Sequence, residues 1–293
     1  MSRLFSVTVL ALAAGSKALM AQEFEFIREV APGSRFVLRN IIGDVRIEAG
    51  SGRSLSVSGR KNPGRHGDPH DVEIKAIELD AGVAICVYYP SSGRGRAPRH
   101  DDRDSGRRRS EDPCSRGSDW ENNDRNDTSI DFVVRLPAGL RVDAKTVAGD
   151  LIGTGLRGTL ELGTVSGDLR LSDVEGDILD VSSVSGDLEL ERIRVREVSA
   201  ETVSGDVTFA GPIDGKGRYD FKTLSGDVVM TLPGQPEATV SAVTFSGDLD
   251  SVFPITTASG RSRRHRFNAT WGSGTAKLDL ESFSGDIRIR EAK

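Results

Sequence analysis

The sequence predicts an all-β chain, a parallel β-solenoid with rungs of about nineteen residues. Three observations carry this. A Gly-Asp pair recurs at Gly149-Asp150, Gly167-Asp168, Gly186-Asp187, Gly205-Asp206, Gly226-Asp227, Gly247-Asp248 and Gly285-Asp286, in steps of 18, 19, 19, 21, 21 and 38 residues. Apolar residues keep step with it, as in Leu179, Val181 and Val184 before one corner and Leu188 and Leu190 after it. The alternation on both sides has the period of two that gives a strand one buried face, with Val and Leu of each Val-Ser-Gly-Asp-Leu expected to point inward.

One such unit has too few apolar side chains to cover itself. Stacking units at ~4.8 Å gives every backbone donor and acceptor a partner above and below. An antiparallel sandwich also uses short alternating strands. The constant corner favours the solenoid, because equivalent residues then stack in register.

In chain order, residues 1–21 read as an export signal. Arg3 supplies the positive charge, Leu4 to Ala14 the apolar stretch, and Ala-Leu-Met-Ala before Gln22 a small residue for cleavage. Residues 22–140 form an N-terminal β region with an early copy of the corner: Phe36, Leu38 and Ile41, then Gly43-Asp44, then Val45 and Ile47. The stretches "SLSVSGRK", "VEIKAIEL", "GVAICVYYP" and "TSIDFVVRLP" are further short strands. Between them, residues 91–128 carry nine Arg against nine Asp plus Glu and almost no aliphatic residue, so this insertion is expected to be disordered. Residues 141–293 hold the main array. Its last step spans two periods and contains "GRSRRHR", Gly260 to Arg266, where a loop is expected to replace one corner.

The net charge of −5 gives no case for a nucleic-acid partner. No apolar run approaches the ~20 residues of a membrane-spanning helix. The chain ends at Lys293, shortly after the last predicted strand. With no barrel, sorting tail or anchor expected there, a periplasmic or secreted and cell-surface protein is the expectation.

The stacked carboxylates Asp150, Asp168, Asp187, Asp206, Asp227, Asp248 and Asp286 are the most suggestive chemistry. Side chains ~5 Å apart repel by about 1 kcal/mol in water. Exposure, backbone N–H bonds in an Asx-type turn, or bound calcium could relieve this. Asp and Gly are common turn residues for local reasons, so the turn reading is preferred to calcium, and no cofactor is expected. The Ser before each Gly and the Thr or Ser two places earlier are expected to form hydroxyl ladders that bond between rungs. His66, His70, His100 and His265 lie in polar segments away from the corners, so no Ser-His-Asp arrangement is expected and the chain is read as a non-enzyme.

Cys86 and Cys114 are expected to pair as a disulfide at the base of the insertion once the chain is exported. Arg261, Arg263, Arg264 and Arg266 are read as a solvated loop, with contact to an anionic glycan or headgroup as the alternative. Asn126-Asp127-Thr128 and Asn268-Ala269-Thr270 match the glycosylation pattern, which recurs by chance.

The corners "TVAGDL", "TVSGDL", "SVSGDL", "TVSGDV", "TLSGDV", "TFSGDL" and "SFSGDI", with "RLPAGLRVDAKT" leading into them, resemble a bacterial family of exported proteins of unknown function, often labelled "putative adhesin". The resemblance covers nearly the whole mature chain apart from the Arg/Asp segment. It implies the fold and supplies no catalytic residues. The expected function is therefore an exported, non-enzymatic binding or structural protein of the bacterial envelope, with a protein or glycan partner there. A scaffold or sensor in an envelope-stress circuit is the alternative, and a carbohydrate-active β-helix enzyme the third.

Overall fold

The computed structural model describes residues 23–90, 112–115, 126–254 and 265–292. The predicted export signal, most of the Arg/Asp-rich insertion, and Arg261, Arg263 and Arg264 lie outside the described residues.

The strands before the insertion are β1 (Glu23–Glu29), β2 (Arg35–Arg39), β3 (Val45–Ala49), β4 (Ser54–Asn62), β5 (Glu73–Leu79) and β6 (Gly82–Tyr88). After it come β7 (Ser129–Leu136), β8 (Leu140–Lys145), β9 (Leu151–Thr154), β10 (Gly158–Gly163), β11 (Leu169–Ser172), β12 (Glu175–Ser185) and β13 (Leu188–Glu191). The array continues with β14 (Arg194–Ser204), β15 (Val207–Ala210), β16 (Arg218–Ser225), β17 (Val228–Leu232), β18 (Ala238–Ser246) and β19 (Leu249–Ser251). It closes with β20 (Arg266–Trp271), β21 (Ala276–Ser284) and β22 (Ile287–Glu291).

Two sheets of eleven strands result. One runs β1-β4-β7-β3-β9-β11-β13-β15-β17-β22-β19, the other β20-β18-β21-β16-β14-β12-β10-β8-β2-β6-β5. At each Gly-Asp corner the chain leaves the second sheet and enters the first. Pairing within the array is parallel: Val142 lies beside Leu160, Leu160 beside Leu179, Leu179 beside Val198 and Val198 beside Tyr219. Among the described residues, antiparallel pairs are found only towards the ends, in β1–β4–β7, β5–β6 and β18–β20. The early copy around Gly43 belongs to the same two sheets, because β2 lies between β8 and β6 and β3 between β7 and β9.

The last step differs from the expected loop in place of a corner. After β17 the chain passes over one position, so that β18 and β19 leave a gap beside β16 and β17. It returns through β20, and β21 and β22 then fill the gap, pairing with β16 and β18 and with β17 and β19. The Gly285 corner thus stacks between Gly226 and Gly247.

The interior is made of columns of equivalent residues. Leu160, Leu179, Val198, Tyr219, Leu278 and Val240 form one, and Leu162, Val181, Ala200, Phe221, Leu280 and Ala242 another, all buried. Each fully buried aliphatic side chain contributes roughly 1.5–3 kcal/mol before chain entropy. Small and large residues compensate: the rungs around Ala200 hold Phe209, whose ring centroid is 5.2 Å from that of Phe221 and 6.0 Å from that of Tyr219. Phe253 meets Trp271 edge to face at 5.3 Å and closes the interior at the C-terminal end.

Parts of the predicted insertion are held in place. Cys86 and Cys114 form a disulfide with Cα atoms 5.5 Å apart. Cys114 packs with Val37, Ala84 and Tyr88 on the face of the sheet opposite the main core. Asn126, counted above as a glycosylation match, is buried; its Nδ2 donates to Asp68 O at 3.0 Å and its Oδ1 accepts from the Thr128 N–H at 3.1 Å.

Candidate interaction surface at the stacked corners

The corner geometry follows from three residues. The glycines stand at φ between +149° and +159° from Gly167 to Gly285, a region L side chains rarely adopt. A Cβ there would meet the glycine carbonyl of the preceding rung, at 2.0 Å for Gly186 against Gly167 and 1.9 Å for Gly285 against Gly226. Glycine is therefore required by its neighbour as well as by its own turn.

Three residues before each glycine, a hydroxyl points inward and donates to that same carbonyl. Thr164 reaches Gly149 at 3.1 Å, Thr202 reaches Gly186 at 3.2 Å, Thr223 reaches Gly205 at 3.0 Å and Ser282 reaches Gly226 at 2.9 Å. Asn40 does the same with an amide at the early corner, from Nδ2 to Ile130 O at 3.0 Å. His265, expected away from the corners, sits at the last one, its Nδ1 3.2 Å from Gly247 O. It stands where a further rung would offer its hydroxyl.

The carboxylates bond along the stack rather than in a local Asx turn. Asp150 Oδ1 accepts the Asp168 N–H at 2.9 Å, Asp168 that of Asp187 at 2.9 Å, Asp187 that of Asp206 at 2.8 Å and Asp206 that of Asp227 at 2.8 Å. Asp227 accepts from Asp286 and Asp286 from Asp248, each at 2.8 Å. Asp131 and Asp44 extend the chain at the other end, since Asp131 accepts from Asp44 and Asp44 from Asp150. Each bond ties a formal charge to a backbone dipole, which offsets the repulsion of stacked carboxylates.

Two arginines add to this. Arg170 reaches Asp168 at 2.6 Å and Asp150 at 3.3 Å, and Arg288 reaches Asp227 at 2.6 Å and also bonds Asp286. Among the described residues no group of three or more His, Cys, Asp or Glu is gathered as a metal ion would need.

The residue before Ser-Gly-Asp corrects the expected inward Val. Val147, Val165, Val184, Val203, Leu224, Phe283 and Phe245 are all exposed, from 38% at Val147 to 69% at Phe245. The cause is phase. Strict alternation from Leu179 and Val181 brings Ser183 inward, where its hydroxyl serves the glycine carbonyl, and so turns Val184 out. The two-residue gap in apolar-x-apolar-x-x-apolar was the signal of that reversal.

The result is an apolar stripe on the outside of the corner, roughly 30 Å long at ~4.8 Å per rung. It grows from Val to Leu to a stacked Phe245–Phe283 pair with centroids 4.8 Å apart. The Asp column runs beside it. Contiguous exposed apolar surface on a folded protein marks interaction sites.

A second polar cluster joins the array to the N-terminal strands. Arg39, on β2 beside Lys145 of β8 and Cys86 of β6, lies 2.7 Å from both Asp143 Oδ1 and Asp112 Oδ2, while Arg35 reaches Asp143 at 2.9 Å. Burial disfavours the charged Asp143, but Arg39 and then Arg35 outweigh it and hold the carboxyl below the usual range. Asp180 behaves oppositely, raised first by burial and then by Glu161 and Glu201.

Of the basic stretch, the described Arg266 is exposed at the start of β20. No described helix is long and apolar enough to cross a membrane.

Residues 131–290 match the family model described as Toastrack DUF4097. No curated protein matches the chain. Solved structures that do include a "putative cell adhesion protein" from Clostridium sporogenes, at 13% identity and TM-score 0.38, covering 92% of this chain and 100% of that one. A "putative adhesin" from Bacteroides fragilis matches at 11% identity and TM-score 0.40, covering 92% and 98%. At that level of similarity no function is transferred from either.

Proposed function

This chain belongs to the Toastrack DUF4097 family, and from that premise we propose that it is an exported, non-enzymatic binding or structural protein of the bacterial envelope. We also read its architecture as a parallel β-solenoid of roughly nineteen-residue rungs, supported by the register of Leu160 on Leu179 and Leu179 on Val198.

The observation that carries the functional reading is the outward stripe of Val184, Val203, Leu224, Phe283 and Phe245. The hydroxyls three places before each glycine and the carboxylates already serve backbone groups of neighbouring rungs, whereas the Ser directly before each glycine, expected to bond between rungs, makes no such side-chain bond among the described residues. What the repeat offers outward is a long apolar line beside an acidic one, a form suited to a partner surface rather than to a reaction centre. The Cys86–Cys114 disulfide supports a compartment outside the cytoplasm.

Purified chain is expected to bind isolated envelope material, and Val184→Ser with Val203→Ser and Leu224→Ser to reduce that binding at least about tenfold. Surface substitutions of this kind change stability by only about 0.5 kcal/mol each. Equal binding by the triple variant would remove the stripe as the contact. Release of reducing ends from envelope polysaccharides would overturn the non-enzymatic reading. Attachment to whole cells fits an adhesin, whereas one protein crosslinking in fixed ratio fits the scaffold.

A further inference from the structure

From the Gly43 corner to the Gly247 corner, each rung holds its successor by the same three bonds. The glycine N–H donates to the carbonyl just before the next glycine, as from Gly186 to Ser204 at 3.0 Å and from Gly285 to Ser246 at 2.9 Å. The N–H two residues later donates to the next Asp carbonyl, as from Leu188 to Asp206 at 2.8 Å and from Ile287 to Asp248 at 2.9 Å. The Asp carboxylate accepts the next Asp N–H.

At the last corner these three groups are Gly247 N–H, Leu249 N–H and the Asp248 carboxylate, and among the described residues none has such a partner. Leu249 is only half-buried, whereas its equivalents Leu169, Leu188, Val207, Val228 and Ile287 are buried. The second sheet is already covered here, with β20 against β18, the His265 carbonyl on Thr244 N–H and the His265 ring at Gly247 O. Among the described residues, the groups without a rung partner lie along the outer edge of β19.

We propose that this edge accepts one extended segment of a partner protein, in parallel register, as an added rung half. The chemistry of the guest is read from the rungs inside the stack. It needs glycine at the corner, because a Cβ there would meet the Gly247 carbonyl as it would meet every carbonyl before it. It needs an apolar residue two places later, to cover Leu249, while four places later it meets Ser251, whose hydroxyl is bonded to Phe253. Arginine three places after the glycine is favoured, since Arg170 and Arg288 at that position each reach back to the Asp of the preceding rung. Asp248 and Asp250 supply the matching charge. Short edge strands usually guard against pairing. Here the three-residue edge limits the bonded length, so recognition depends on the corner groups.

This goes beyond the stripe reading, because it uses the β19 edge rather than the outward Val, Leu and Phe side chains. The probe is a labelled octapeptide copying Ser284–Glu291, Ser-Gly-Asp-Ile-Arg-Ile-Arg-Glu, titrated against the full chain by fluorescence anisotropy. Saturable binding is expected, weakened about tenfold or more by Gly285→Ala in the peptide, a change that leaves the protein intact. Asp248→Ala in the protein is expected to weaken it similarly. Hydrogen exchange should slow at the Leu249 and Ser251 amides while Ile287 to Ile289 keep their protection. Absent binding, equal binding of the alanine peptide, or loss of protection in β22 would overturn the proposal. Failure of the peptide would leave the envelope-binding assay of the stripe standing.

Discussion

At Gly186 an added methyl group would lie 2.0 Å from the Gly167 carbonyl oxygen, with φ at +159°. Relief would require the two rungs to part, and parting them breaks the Ser183 hydroxyl bond and the Asp168–Asp187 bond beside it. Gly186→Ala is therefore expected to cost about 3 kcal/mol or more, read as a fall in the urea midpoint. A loss under 1 kcal/mol would mean that the corner is looser than its bonds imply. The glycines, like the hydroxyls, were legible as a repeat. Their partners were not, because each bond runs to a residue fifteen or more positions away whose place only stacking decides.

At the scale of elements, the disulfide fixes residues 112–115 over β2 and β6. It buries Cys114 on Val37 and Ala84 and delivers Asp112 to Arg39. Residues 86 and 114 are separated by 28 positions, a loop whose closure in the unfolded chain is worth about 3–4 kcal/mol. Cys86→Ser with Cys114→Ser should lower stability by about 2–4 kcal/mol, with far-ultraviolet circular dichroism of the folded state unchanged. An unchanged unfolding midpoint would show that the staple does nothing for the fold. The cysteine pairing could be expected from two thiols flanking a polar segment. Asp112 on Arg39 could not, since nine Arg and nine acidic residues crowd residues 91–128 and nothing local ranks them.

At the scale of the whole molecule, Asp143 links the array to the strands that precede it, because β8 pairs with β2 across more than a hundred residues. Its carboxyl is more acidic in the folded chain, held so by Arg39 and Arg35 against the effect of burial. Its contribution is thus present above the unfolded value of about 4 and is lost as pH falls through the lower folded one. Asp180, whose carboxyl is raised, works with the opposite sign and loses its contribution as pH rises. Asp143→Asn is expected to cost about 3 kcal/mol at pH 7 and to make stability less steep below about pH 4. A variant that unfolds with acid as the parent does would place the sensitivity elsewhere. The order of the last rungs also belongs to this scale. A repeat in the sequence counts corners, but whether Gly285 stacks beyond Gly247 or between it and Gly226 depends on which strand edge the returning chain meets.

The residue pattern alone marks the chain as all-β, shows where the strands turn, and picks out the interior columns of Leu179 and Val181 before the corner and Leu188 after it. Period-two alternation and a recurring Gly-Asp are local properties that survive in one dimension. It took the folded stack to place each carboxylate on the N–H of the following rung and to leave the Gly247 and Leu249 N–H groups without a rung partner among the described residues. Those outcomes depend on the register in which one rung lies on another, where the inward hydroxyls of Ser183 and Thr202 meet the glycine carbonyls beneath them.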